Sequence, residues 1–304
     1  MIQVMASSPG SRKQLLDQDA IMAWIFLAPA LLLMGVFILG PILYLFYLSF
    51  TQGSFTRSGI YGVGLNNYFR LFLSPDFWQI LLNTAYFTIA TVIPSLIIPL
   101  ALAVLLDRTF ALRDILRTAY FIPSITSLVA VGLGWRWLFQ TQGPVNHLLT
   151  QLGFDPIPWL SSTTWAMPVL ILLSIWKQLG FNLVVFLAGL QTIPQSRYEA
   201  AQLDGANPWQ QFLYITLPGL QPTMVFVTVT TAIFTLKSFE QVYVITGGGP
   251  LNSTNVLVYY IYEQAFSQFD FGYAAAAASI LLAIALVLVY IQLKLFEENE
   301  SINN

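Results

Sequence analysis

The sequence predicts an all-α integral membrane protein with six transmembrane helices, and three observations carry that prediction. Hydrophobic residues make up 57% of the 304 and charged residues only 9%, with a mean hydropathy of +0.70, far from the mixture of a soluble globular domain. The apolar residues gather into six runs, each long enough to be read as a crossing of about 30 Å of hydrocarbon, which takes roughly 20 residues of helix. The runs are far longer than the roughly ten-residue strands of a membrane barrel, and lipid offers no partner to bare backbone groups. Each run is therefore helical.

The first run, 21–50, follows Arg12 and Lys13 in a tail of residues 1–20. It is too long for the apolar core of a signal peptide and no small-residue cleavage site follows it, so it reads as a retained span. The others are 77–106, 118–139, 164–190, 220–246 and 273–296, and a tail of residues 297–304 closes a single transmembrane domain over 21–296. Pro41, Pro94, Pro99 and Pro123 fall in or beside these spans. Carbonyls freed by a proline are expected to find donors on neighbouring helices.

If the spans alternate, Arg12, Lys13, Arg108, Arg113, Arg117, Arg197 and Lys294 fall on one side, and Arg57 and Arg70 on the other. The excess of basic residues marks the cytoplasmic side, which places both termini and the 191–218 loop inside. Trp78, Trp135, Trp137, Trp159 and Trp165 then lie near outer span ends, where interfacial aromatics belong. The chain has no cysteine, hence no disulfide, thiolate ligand or thiol nucleophile. Its net charge of −2 argues against nucleic acid, and its one histidine, His147, sits in an outer loop without a ligand cluster, so no metal site is expected.

The polar stretch IPQSRYEAAQLDGANPWQQFLYITLP, 193–218, breaks the apolar pattern. Ser196 with Glu199 three residues on has the spacing of a capping box, predicting a short helix that runs to Asp204. Gly205 supplies a left-handed turn, Asn207 caps a second helix with Pro208 in its first turn, and Pro218 limits the far end. Ala200, Ala201 and Ala206 keep this elbow of two short helices thin enough to enter a cleft. The plainer reading is a solvated connection.

Within the spans, Ser174, Lys177, Gln178 and Phe181 share one face of the fourth, and Phe234, Thr235 and Ser238 one face of the fifth. Polar groups at such depth face a cavity or a partner helix. For Lys177 two readings stand: a bond to a neighbouring helix, or a cationic cavity for an anionic solute. Lys237 and Glu240, three apart, are expected to pair near the outer end, and the alanines at 274–278 to form a helix-packing surface.

Glu199-Ala200-Ala201, three residues, Gly205, nine residues, then Ile215-x-Leu217-Pro218 resembles the EAA loop of binding-protein-dependent ABC import permeases. The stretches TGGGPLNSTNVLVYYIYEQAF (246–266), FGYAAAAASI, IPWLSSTTWAMPVL and SIWKQLGFNLVVFLAGL are similar to the sugar-type branch, the maltose and glycerol-3-phosphate permeases. The resemblance implies a type I ABC importer permease fold in a prokaryotic cell membrane. It implies a second homologous permease subunit in a heterodimer, two ATPase subunits and an extracytoplasmic solute-binding protein. Glu199, Ala200, Ala201, Asp204 and Gly205 would dock on an ATPase. ATP and Mg would sit on those ATPases, leaving this chain without cofactor or catalytic residue; the chain itself has no G-x-x-x-x-G-K-[ST] phosphate loop. By the same resemblance Ser124 and the polar faces of the fourth and fifth spans line a sugar site, although Lys177 stands where the maltose-type relative has an apolar residue. A neutral sugar or sugar–polyol conjugate is expected, with an anionic, phosphorylated polyol as the alternative. An ion-coupled secondary transporter using Glu240 or Lys177 is a competing class. An intramembrane enzyme would need a nucleophile and base, or a metal cluster, that the spans do not offer.

Overall fold

The computed structural model describes residues 9–52, 61–106 and 113–303. Arg57 and Arg108, counted above for orientation, lie outside the described residues, as do residues 1–8 and 304 of the two tails. Helix α1 (Pro9–Met34) runs through a wide π-type turn, Gly35–Leu39, into α2 (Gly40–Ser49). Two short antiparallel strands, β1 (Thr51–Gln52) and β2 (Tyr61–Gly62), and α3 (Asn66–Leu73) lead into α4 (Pro75–Leu106). Among the described residues four stretches are long and apolar enough to cross a membrane: Met22–Ser49, Pro75–Leu106, Ala166–Leu190 and Phe271–Lys294. Two further pairs, Thr118–Ile125 with Leu128–Gln151 and Pro208–Gly219 with Gln221–Leu236, are each bent at a short break and bring the number to six if each pair is one span.

The third span departs from the single helix expected over 118–139. It divides into α5 (Arg113–Ile125) and α6 (Leu128–Phe139), with 104° between Thr118–Ile125 and the helical run that begins at Leu128. Pro123 supplies no N–H to the ladder, and Ser127 leaves the helical region at φ −59° and ψ 127°. Helix α7 (Pro144–Gln151) and a loop follow, ordered by buried Asn146, whose amide donates to the carbonyls of Thr141 and Ile157 at 2.9 and 2.8 Å. Next come α8 (Ala166–Leu190), α9 (Gln195–Leu203), α10 (Pro208–Gln211), a π-type turn at Phe212–Thr216 and α11 (Leu217–Gly219). The path then bends by 65° into α12 (Gln221–Leu236).

The fifth span also departs from expectation, because helix α12 ends at Lys237 and the chain resumes helical geometry only toward a π-type turn at Val242–Thr246. The break takes Lys237 and Glu240 off a shared helical register, and the expected ion pair does not form, whereas among the described residues Arg70 and Asp270 do pair, at 3.2 Å. Helix α13 (Leu257–Tyr262), a last π-type turn at Glu263–Ser267 and α14 (Phe271–Asn303) complete the chain. The alanines Ala274, Ala275, Ala276 and Ala277 are buried on α14, as a packing surface requires. Between α13 and α14, Tyr260 donates to Tyr273 Oη at 3.1 Å. Burial, reinforced by that bond, pushes the Tyr260 phenol above its ordinary range, so it stays a neutral donor.

Helix α8 is the centre of the molecule, buried along most of its length. Its first half packs Met167, Leu170 and Leu173 with Phe87 of α4, and its second half packs Leu183, Phe186 and Leu187 with Ala103 and Leu106. Early residues meet early and late meet late, so α4 and α8 run parallel. On its other side α8 is crossed by α5 at very short range. A Cβ added at Gly180 would lie 2.0 Å from the Tyr120 carbonyl oxygen, so only glycine fits. By contrast, the crossing part of α1–α2 has no buried segment within this chain, and α2 leans on α14.

Two alanine substitutions separate the close crossing from ordinary helix. Gly180→Ala is expected to lower stability by about 1–3 kcal/mol through overpacking. Gly134→Ala on α6, where nothing stands within 4 Å of the added carbon, is expected to be neutral or stabilising by up to ~1 kcal/mol. Thermal unfolding midpoints of the two purified variants in one detergent check both.

Candidate functional site

The sharp elbow between α5 and α6 leaves carbonyls without helical partners, and α8 supplies the donor. Lys177 Nζ donates to the carbonyls of Pro123 at 2.6 Å, of Ser124 at 3.3 Å and of Thr126. An ammonium has three N–H donors, and all three are used. The same elbow returns a bond: Ser124 Oγ donates to the Lys177 carbonyl at 3.1 Å and accepts the Phe181 amide N–H at 3.2 Å, bridging successive turns of α8. A bare lysine deep in a bilayer costs roughly 2.5–3.5 kcal/mol on insertion scales, and this carbonyl cage offsets that cost.

Beside this knot lies a cleft of about 310 Å³, lined by Phe121, Ser124, Ile125, Lys177, Gln178, Phe181, Thr230 and Phe234. Five of the residues singled out in the sequence meet here: Ser124, Lys177, Gln178, Phe181 and Phe234. Phe181 and Phe234 are partly exposed to it, while Gln178 is buried with an Nε2 that has no protein partner. Ser174, Thr235 and Ser238 do not reach the cleft. They are buried behind it, with hydroxyls donated to the Leu170, Thr231 and Phe234 carbonyls of their own chain segments. Phe121, Ile125 and Thr230 were not singled out: an apolar residue on a span carries no signal that separates a cleft wall from a lipid face, and a threonine on a helix commonly bonds its own backbone, as Thr230 Oγ1 does to the Phe226 carbonyl at 2.8 Å. The cleft offers ring faces and a hydroxyl, with the unpartnered Gln178 amide nitrogen buried in its wall. Among the described residues no group of three or more His, Cys, Asp or Glu is placed to hold a metal.

The second candidate segment is the elbow at 191–218. Helix α9 starts at Gln195 with Pro194 in the cap position and no side-chain cap bond. The expected Ser196–Glu199 capping box is therefore not formed: Ser196 already lies inside the first turn, two residues past the cap position. The second box does form, with Asn207 Oδ1 accepting from Gln210 N at 2.9 Å and Gln210 Oε1 accepting from Asn207 N at 2.8 Å. Gly205 turns the chain at φ +82°, and Asp204 closes α9. Pro218 does not end the helical path, which continues to Gly219, because it stands in the first turn of α11 where no N–H is needed. A 2.9 Å bond between Tyr198 Oη and Thr216 Oγ1 ties the two arms together. Glu199, Ala200 and Ala201 lie on α9, and Leu203 at its end is 90% exposed, an apolar tip projecting from the elbow.

Residues 84–299 match the family described as the inner membrane component of binding-protein-dependent transport systems. The chain is 40% identical over 258 residues to the sulfoquinovosyl glycerol transport system permease protein SmoG of Agrobacterium fabrum, covering 84% of this chain and 83% of that one. It is 38% identical to the lactose transport system permease protein LacF of Rhizobium radiobacter, over 84% of this chain and 87% of that one. Among solved structures it is similar to a chain of a bacterial ABC transporter involved in import of the acidic polysaccharide alginate, with a TM-score of 0.79 and 26% identity, over 93% of this chain and 98% of that one. With its membrane spans, its bent third and fifth helices and its exposed elbow, the chain belongs to the inner membrane components of binding-protein-dependent transport systems and is a permease of an ABC importer.

Proposed function

We propose that this permease carries a neutral sugar or sugar–polyol conjugate through the cleft beside Lys177. One observation carries the reading: the Lys177 ammonium is consumed by three carbonyls, leaving no unengaged lysine on the cleft wall to meet an anion. What remains suits a sugar, with Phe121, Phe181 and Phe234 for ring faces, and Gln178 and Ser124 for hydroxyls. The lactose-permease relative adds support. The anionic reading has its own support in relatives named for sulfoquinovosyl glycerol and for an acidic polysaccharide. In the proposed assembly a second homologous permease completes the cavity, an extracytoplasmic protein delivers the solute, and both termini face the cytoplasm. Two ATPase subunits drive the cycle; one docks on Glu199, Ala200, Ala201, Asp204 and Gly205, and each holds its own ATP and Mg.

Uptake competition between matched neutral and phosphorylated compounds tests the solute class. Neutral compounds are expected to compete, and Lys177→Gln to depress transport of every solute alike by loosening the α5–α6 elbow. Transport of the phosphorylated compound alone, abolished by that substitution, overturns the reading.

The chain's lack of cysteine allows a clean labelling test. Phe181→Cys and Gln178→Cys are expected to react with a small polar thiol reagent and to be protected by solute, whereas Ser174→Cys stays unreactive. Uniform silence at all three would remove the cleft from the pathway.

For the elbow, Gly205→Val is the sharpest variant, because nothing stands within 4 Å of the added carbon and the backbone alone is strained, by about 1–2 kcal/mol. ATP-driven transport in proteoliposomes is expected to fall sharply while solute binding to the delivery protein is unchanged. Normal transport with normal ATPase assembly would sink the docking assignment.

A further inference from the structure

The interface of α4, α8 and α12 holds a column of buried polar side chains that the cleft and the elbow do not account for. On α4, Thr84, Thr88, Thr91 and Ser95 recur on one face, and all four are buried. On α8, Ser174, Gln178 and Asn182 recur every fourth residue, and Thr231 and Gln241 face them from the fifth span. The register is fixed at two levels. Asn182 Nδ2 donates to the Ser95 carbonyl at 2.9 Å and to Thr231 Oγ1 at 3.2 Å, and Gln241 Nε2 donates to Ser174 Oγ at 3.0 Å. Because α4 and α8 run parallel, Thr91 stands level with Gln178 and Thr88 level with Ser174.

Each of these three levels holds two buried polar atoms without a protein partner. They are Ser95 Oγ and Asn182 Oδ1 at the first, Thr91 Oγ1 and Gln178 Nε2 at the second, and Thr88 Oγ1 and Gln241 Oε1 at the third. An unsatisfied buried polar atom costs about 1–3 kcal/mol, and six of them in one helix interface demand a partner. A cation is the wrong one. No carboxylate belongs to the set, the Lys177 ammonium is the next residue to Gln178, and an amide N–H cannot bond to a cation. Water both donates and accepts, and a buried water typically joins two to four polar groups.

We infer that the α4–α8–α12 interface is a hydrated seam, with about one bound water per level. It opens into the cleft at Gln178, which is shared between the two. At its outer end the seam is closed by Thr84 Oγ1, which accepts the Leu257 amide N–H at 2.9 Å. Water at these levels satisfies the six atoms and leaves in place the direct bonds that fix the register of α8 against α4 and the fifth span. A solute group that takes Gln178 Nε2 competes directly with the water of the middle level.

Hydroxyl-radical footprinting of the purified transporter, with its partner subunits in lipid nanodiscs, tests this. Radicals generated from bound water oxidise an adjacent thiol, and the native chain has none. Thr91→Cys and Ser95→Cys are expected to oxidise several-fold faster than Ala103→Cys, which is equally buried but lies in an apolar cluster. Equal, slow oxidation at all three positions overturns the seam. Adding Gln178→Leu to Thr91→Cys is expected to slow oxidation at 91, and an unchanged rate overturns the opening to the cleft. The readout needs neither solute nor ATP, so it fails or succeeds independently of the proposed transport function.

Discussion

The arrangement of the cleft hangs on a single buried ammonium. A bend of 104° in a membrane helix exposes carbonyls where neither water nor the helix's own amides reach them, and such a bend survives only if another element supplies donors. Lys177 supplies three at once, and the 2.6 Å bond to Pro123 has the shortness of a charge-assisted contact. Ser124 closes the knot from the other direction by bridging Lys177 and Phe181. Gly180 lets the two backbones approach closely enough for both sets of bonds. Three neighbouring residues of α8, with the elbow they hold, thus set the position of Phe121, Ser124 and Ile125 on the cleft wall.

A charge so engaged serves architecture and chemistry together. The lysine holds a fixed geometry because its partners are backbone atoms, whose positions do not depend on rotamers. Its neighbour Gln178 keeps an unpartnered amide donor, and the rings of Phe181 and Phe234 remain partly open. The wall therefore combines a fixed polar edge with apolar faces, the mixture that orients a hydroxyl-rich ring without stranding a charge.

Much of this was legible in the sequence. Span count followed from run length, and the left-handed turn at Gly205 and the Asn207 cap followed from residues that have few other reasons to stand there. The α4-to-α8 packing that makes α8 central was not legible, because an apolar run does not say which neighbour it meets. Pro123 announced a disturbance in the third span, but its size depended on a lysine 54 residues later. Ser196 and Glu199 had the spacing of a capping box, yet the helix began two residues early and left Ser196 inside its first turn. Lys237 and Glu240 had helical spacing, but the helix did not continue between them. In each case a local pattern was overruled by where a helix starts or stops, which tertiary contacts decide. The cleft residues Phe121 and Ile125 were hidden for another reason, since nothing in an apolar side chain separates a cleft wall from a lipid face.

The two arms of the elbow differ mechanically. Between Phe181 and Leu190, α8 is an uninterrupted α-helix without proline or π-type turn, about 14 Å of rigid rod joining the cleft wall to the loop. The returning arm is segmented, with a π-type turn at Phe212–Thr216, a proline at 218 and a 65° bend before α12. The turn at residues 191–194, with Pro194 extended, joins α9 to this rod, and above Leu190 no break in α8 intervenes before Phe181. A displacement entering the other arm is taken up as rotation at the bend. The loop is thus a crank with one stiff shaft and one jointed one, and the stiff shaft carries Lys177, Gln178 and Phe181.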